Sequence, residues 1–297
     1  THGLPPSLTA VAGGYTENES WFGGVLHQGT YKHDTIRYTG SLFYPSVNLT
    51  FYGGGDSPIL KNGLDYNLEG WATIQELTFR LGHSNFFLGG RATFFDSLST
   101  FKTSQIIPGI GDAELATDNL GAGLVLSYDS RDNIFTPNTG WDIDSRAMAH
   151  TGKSIGEFDY YLFYLLPRYY WQLGKNWNMG FRFQGEFTSG DVPFYALPFI
   201  SLRGIPAMRY QGEDAVTVEL EARWNLNHRW SLVGFGGVGT TTPVTGNLGD
   251  GENHAAGGVG FRYLIARKLG LYTGIDVARG PEETAVYIQV GSAWNNL

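Results

Sequence analysis

The chain has 297 residues and no Cys; 42 are Gly, 15% are aromatic, only 16% are charged, and the formal net charge is −8. The acidic balance leaves no basic footprint for nucleic acid, and the absence of Cys excludes a disulfide-stapled module. No apolar run reaches 18 residues, the densest being "YYLFYLL" at 160–166, so a helical membrane protein is excluded as well.

The chain opens on "THGLPPSLTA" with no charged-then-apolar leader, which places any export signal outside this sequence. From there the hydropathy period is two nearly throughout. In "TIRYTGSLFY", Ile36, Tyr38, Leu42 and Tyr44 oppose Arg37, Thr39 and Ser41. "WDIDSRAMAH" sets Trp141, Ile143, Ala147 and Ala149 against Asp142, Asp144, Arg146 and His150. In "WNMGFRFQGEF", Phe181 and Phe183 lie opposite Arg182, Gln184 and Glu186. "VTVELEARWNL" sets Val218, Leu220 and Trp224 against Glu219, Glu221 and Arg223. Strands are expected at 7–16, 20–29, 34–44, 46–53, 64–81, 84–98, 120–131, 140–151, 157–173, 176–189, 213–226, 229–240, 254–266, 269–279 and 283–294.

A soluble sandwich has the same alternation, but its strands average about 5 to 6 residues and have no need of aromatics at their ends. Here many run to about 10 to 14 residues with Trp, Tyr and Phe near the ends, as bilayer-crossing strands do. The expectation is therefore all-β: a transmembrane antiparallel β-barrel with Phe181, Phe183, Trp224 and Ile288 toward lipid and Arg182, Gln184 and Glu221 toward the lumen. About fifteen strands are identified, and bacterial single-chain barrels take an even number, so about 16 are expected. That number uses the whole length and makes residues 1–297 a single domain. Its last strand should close on the strand beginning near Ser7, or pair with a neighbouring copy as a homo-oligomer, because lipid cannot satisfy an open edge.

"GAGLVLSYDSRDNIFTPNTGWDIDSRA" carries Asp129, Arg131 and Asp132 after a Gly-rich apolar strand, then Pro137 and Gly140 opening the next. Further on come Leu202-Arg203-Gly204-Ile205 and the Glu221-Ala222-Arg223 of "ELEAR", and the chain ends in "AVYIQVGSAW". In this order the motifs resemble the bacterial surface antigen superfamily, the outer-membrane assembly and translocation barrels of BamA/TamA/FhaC type. The resemblance implies that a loop at about 190–212 folds into the lumen and that Arg203, at the tip with Gly204, meets Glu221 with Glu219 nearby. It also implies that Val286, Ile288, Val290 and Trp294 form a C-terminal targeting strand. Where the family has a second acid on the strand after the loop, this chain has Gly237; Ile205 replaces the tip aromatic, and Asp276 is inward and available to compensate.

The functions implied are insertion or translocation of a protein or lipid client through a movable loop or lateral seam, at the bacterial outer membrane. The relatives' client-receiving domains before the barrel have no counterpart here, which leaves a passive pore as the alternative. A barrel-embedded enzyme is the third reading: His150 shares a strand with Ser145 and Asp144, but no nucleophile motif accompanies them, so no catalytic residue is assigned. "GDGEN" at 249–253 lacks calcium-loop spacing. No metal or cofactor is assigned, and membrane lipid is the one partner that every barrel reading requires.

Overall fold

The computed structural model describes residues 7–16, 18–51, 63–105, 111–152, 158–242, 251 and 253–294. They form fourteen strands: β1 (Leu8–Tyr15), β2 (Trp21–Tyr31), β3 (Ile36–Phe51), β4 (Leu64–Arg80), β5 (Phe86–Phe101), β6 (Ala113–Asp129), β7 (Gly140–Gly152), β8 (Phe158–Leu173), β9 (Trp177–Gly190), β10 (Asp214–Asn225), β11 (Trp230–Thr241), β12 (Asn253–Ala266), β13 (Leu271–Arg279) and β14 (Thr284–Val290). Each pairs antiparallel with the next in one fourteen-stranded sheet. No helix among the described residues is long and apolar enough to cross a membrane, which says nothing of strands.

The count is fourteen rather than the fifteen or sixteen expected. The expected strands 34–44 and 46–53 are one, β3, which runs through the Pro45 between them. Pro45 stands opposite Phe22 of β2, and the ladder to β4 lapses between Phe43↔Ala72 and Ser46↔Glu69. A proline has no N–H for the ladder, so the sheet drops two pairings there and keeps the strand. β6 begins at Ala113 rather than near 120, because the polar stretch before Leu120 hides a strand whose inward Thr117 and Asn119 bond Ser97 (3.0 Å) and Tyr160 (3.0 Å). β14 ends at Val290, four residues before Trp294. β1 and β14 do not pair among the described residues, so the expected closure of the sheet is not made there.

The two faces differ as the alternation requires. Leu124 (67% exposed), Val259 and Ile288 lie on the outer face with Trp224, whereas the inward Arg182, Gln184, Glu219 and Arg262 are buried. Aromatic rings ring the outer wall at the end with the short turns: Trp141 stacks on Tyr169 at 4.4 Å, Trp177 on Trp224 at 5.7 Å, and Trp230 meets Tyr263 at 4.8 Å. At the other end Trp21 and Trp71 flank Tyr44, 5.7 and 5.0 Å away. An outer wall that is apolar at mid-height and aromatic at both rims is what a lipid-facing surface requires.

Candidate functional site: the loop seated on the inner wall

Between β9 and β10, residues 191–213 turn back onto the inner face. The two arms approach each other through an isolated bridge at Phe199↔Gln211 and the Gly212 N–H donated to the Pro198 carbonyl (3.0 Å). At the tip, Ile205 N–H donates to Leu202 C=O (3.1 Å), closing a β-turn with Arg203 and Gly204 at its corner. Gly204 has φ +96°, a conformation glycine takes without the cost a side chain would add. Ile200, Leu202 and Ile205 are buried as a small apolar core beneath the loop.

The Arg203 guanidinium meets three carboxylates. Nη2 donates to Glu219 Oε1 (2.7 Å) and Glu221 Oε2 (2.8 Å), Nη1 to Asp276 Oδ2 (2.7 Å), and its carbon lies 3.5 Å from the centroid of the Phe235 ring. Burial alone would lower the Arg203 pKa; Glu221, Glu219 and Asp276 outweigh it and raise the pKa above the ordinary arginine value. Glu219 also accepts from Arg182 Nη1 (3.2 Å), and Asp276 from Arg262 Nη2 (2.9 Å), so three guanidiniums face three carboxylates. Charges this dry persist only when mutually compensated, which makes the cluster a device for position more than for net stability.

The Gly237 departure has a steric cause. A Cβ there would lie 2.6 Å from both Leu202 Cδ2 of the loop and the Val218 carbonyl of β10, and one at the neighbouring inward Gly239 would lie 2.6 Å from Ile200 Cγ2. β11 gives up side chains so that the loop's apolar residues can lie on its backbone, and the second acid comes from β13 as Asp276.

The Asp129 to Gly140 motif forms a floor at the short-turn end. Asp129 binds Arg131 (2.9 Å) and Arg37 (2.8 Å), and Arg131 continues to Asp142 (2.8 Å), which Arg168 also meets (2.6 Å). Although burial opposes its charge, Asp142 and Asp129 hold the Arg131 pKa above its ordinary value. Asp132 accepts from the N–H groups of Asn138 (2.8 Å) and Thr139 (3.1 Å), and Gly140 follows Pro137 and Asn138 with φ +108°.

Trp294 is placed differently from the expected targeting strand. Val286, Ile288 and Val290 are exposed on β14, but the chain turns at Gly291 (φ +84°), and Trp294 is 5% exposed on the inner side. Its indole N–H donates to Glu219 Oε2 (2.8 Å), its carbonyl accepts from Arg168 Nη1, and its ring lies over Gly180. Trp294 therefore joins the floor's ion pairs to the loop's. Arg168, Arg182 and Arg262 were not singled out from sequence as loop partners, though alternation does place them inward. The inward turn of the tail has no signal in the residues, since Val286, Ile288 and Val290 share one parity with Trp294.

His150 bonds Asn119 through Nδ1 (2.9 Å) and stacks on Tyr160, while Asp144 pairs with Arg146, so these contacts do not join His150 to Asp144. Among the described residues no group of three or more acids and histidines is placed to hold a metal, and Asp250 and Glu252 of the 249–253 stretch lie outside them.

Fourteen antiparallel strands with an inward loop define the barrel fold of the BamA type. The structure matches BamA from Haemophilus ducreyi lacking POTRA domains 1–3 (TM-score 0.60, 13% identity, 95% of this chain and 63% of that one) and CdiB from Acinetobacter baumannii (TM-score 0.57, 11% identity, 96% and 59%). This chain thus spans about three-fifths of either. No family model and no curated protein sequence matches it.

Proposed function

We propose that the chain is an outer-membrane barrel of the assembly and translocation kind, whose inner loop is a movable element held by Arg203 and whose client is a protein or lipid. One observation carries this reading: the loop is tied to the inner wall by a buried arginine shared among three carboxylates. A pore that only filters solutes has no need of so specific a fastening. Among the described residues β1 and β14 do not pair, which adds a second element, since a seam that is not hydrogen-bonded is one through which a strand or lipid could leave sideways.

The runner-up is a passive pore, favoured by a cavity of about 480 Å³ lined by residues of β2 to β8 and of the β6–β7 turn. A tether separates the two, using the absence of Cys in the natural chain. Liposomes bearing the protein should insert an unfolded outer-membrane barrel faster than empty liposomes. Cysteines placed in 8–15 and 285–293 and oxidised should abolish that gain, and reduction should restore it. Equal insertion with and without the protein, together with ion conductance indifferent to the tether, would overturn the assembly reading in favour of the pore.

A further inference from the structure

The two rims of the sheet differ in charge. At the rim with the long connections stand Asp191, Glu213 and Glu282, whereas at the opposite rim three successive turns between β8 and β13 are cationic and free of acids. The β8–β9 turn is Gly174-Lys175-Asn176, the β10–β11 turn carries His228 and Arg229, and the β12–β13 turn carries Arg267 and Lys268. Lys175, His228, Arg267 and Lys268 are all exposed. The turns follow one another along the rim at two strand spacings, about 10 Å.

Each turn is also flanked by exposed apolar groups: Leu173 (61% exposed) and Trp177 at the first, Leu226 and Trp230 at the second, Ile265 (60% exposed) and Leu269 at the third. A cation presented to water alone needs no such neighbours. Cations set just beyond a band of Trp and Leu are at the depth of lipid headgroups, the apolar groups lying in the acyl boundary and the charges reaching phosphate. The remaining described turns at this rim present less: the β2–β3 turn has Lys32 as its one Lys or Arg, its Asp34 being turned in to Arg37 and Arg80, the β4–β5 turn offers His83, and Arg131 points inward to Asp129 and Asp142.

We infer that the rim from β8 to β13 is a docking surface for anionic phospholipid headgroups in the leaflet at the short-turn end, selecting them over zwitterionic ones. This rests on the outer-membrane reading, and short turns mark the periplasmic side in such barrels. The attraction is electrostatic and therefore weakened by salt. It would give the sheet a fixed lipid neighbour on the wall where the loop and tail are seated.

The test is tryptophan quenching in vesicles of phosphatidylcholine containing a minority of phosphatidylglycerol, with one or the other lipid dibrominated. Trp177, Trp224 and Trp230 stand at the rim as reporters. Brominated phosphatidylglycerol should quench the natural protein more strongly than the same fraction of brominated phosphatidylcholine. That excess should fall several-fold in Lys175→Gln/Arg267→Gln/Lys268→Gln and in high salt, and persist in Lys175→Arg/Arg267→Lys/Lys268→Arg. Equal quenching of the natural protein by both lipids, or an excess surviving the neutral triple variant, overturns the inference. Insertion into pure phosphatidylcholine, read by protease protection, is the control: failure there sinks the membrane reading, whereas insertion without a phosphatidylglycerol excess sinks this one alone.

Discussion

The inner faces of β2 to β8 and of β9 to β13 are built from the same materials and end differently. Both carry arginines and carboxylates at alternate positions. From β9 to β13 the loop and Trp294 fill the space, and Glu219 (2% exposed) and Asp276 (0%) are dry. From β2 to β8 the charges pair mostly with one another and surround a cavity of about 480 Å³. Charge alternation alone therefore fixes only which face is inward. What decides whether an inner wall holds a plug is room for one, and β11 supplies it through Gly237 and Gly239, under Leu202 and Ile200. The filled side commits its charges to holding one segment in one place, and the open side leaves a cavity between its charges.

The largest effect should come from removing the fastening. Arg203→Ala leaves Glu219, Glu221 and Asp276 facing one another with two arginines for three carboxylates, an uncompensated buried charge costing roughly 3 to 5 kcal/mol. Glu219→Gln should cost more than Glu221→Gln, because Glu219 also holds Arg182 and Trp294 and is the drier of the two, 2% against 18% exposed at the side chain. An open-side change such as Ser41→Ala should cost under about 1 kcal/mol, in line with ordinary sites away from such features. Chemical unfolding of the folded barrel in detergent gives all four values. Equal losses from Arg203→Ala and Ser41→Ala would erase the distinction between the sides.

The outward and inward parity of β7, β9 and β10 was legible in the sequence because a strand with one wet and one greasy face must alternate. Arg203 with Glu219 and Glu221 was legible through motif order, and Asp276 through parity on β13. Three things were not. The first half of β6 stands where both faces are polar, so no period betrays it. Pro45 reads as a break, and whether the sheet tolerates it depends on the partner strands. The inward turn of Ser292 to Trp294 depends on a waiting carboxylate, an arginine and Gly180, all more than 70 residues away in sequence, as the Trp294 to Glu219 bond alone spans 75.

The next prediction compares the walls of one side. Leu124 is 67% exposed on the outer face of β6, while Ser41 faces the cavity from β3. Leu124→Arg should cost roughly 2 to 4 kcal/mol if that position sits near the bilayer midplane, whereas Ser41→Asn should cost under about 1 kcal/mol, because it places a neutral polar group beside a cavity with polar walls. Unfolding measured in lipid vesicles makes this difference; in short-chain detergent it should shrink. Equal costs in lipid would mean that the outer face does not meet hydrocarbon.

The smallest expected effect belongs to the loop's exposed anchor, which contrasts with Arg203 on the same segment. Arg209 Nε donates to Glu282 Oε2 at 2.8 Å, and Tyr210 Oη donates to Oε1 at 3.0 Å, tying the loop to the β13–β14 connection. The Arg209 hydrogen bond holds the Glu282 carboxyl below its ordinary value, chiefly by favouring the ionised form. Glu282 is 43% exposed at the side chain, so water and salt screen the pair and its worth is a few tenths of a kcal/mol, about 0.2 to 1 for exposed pairs generally. Because the folded-state pKa is depressed, the stabilisation is fully present above the unfolded-state carboxylate value, about 4.3, and is lost as pH falls through the folded-state value. The natural protein and Glu282→Gln should thus differ slightly in unfolding free energy near neutral pH and converge in acid, with salt narrowing the neutral gap. A gap that persists in acid would assign the anchor to packing by Tyr210 rather than to charge.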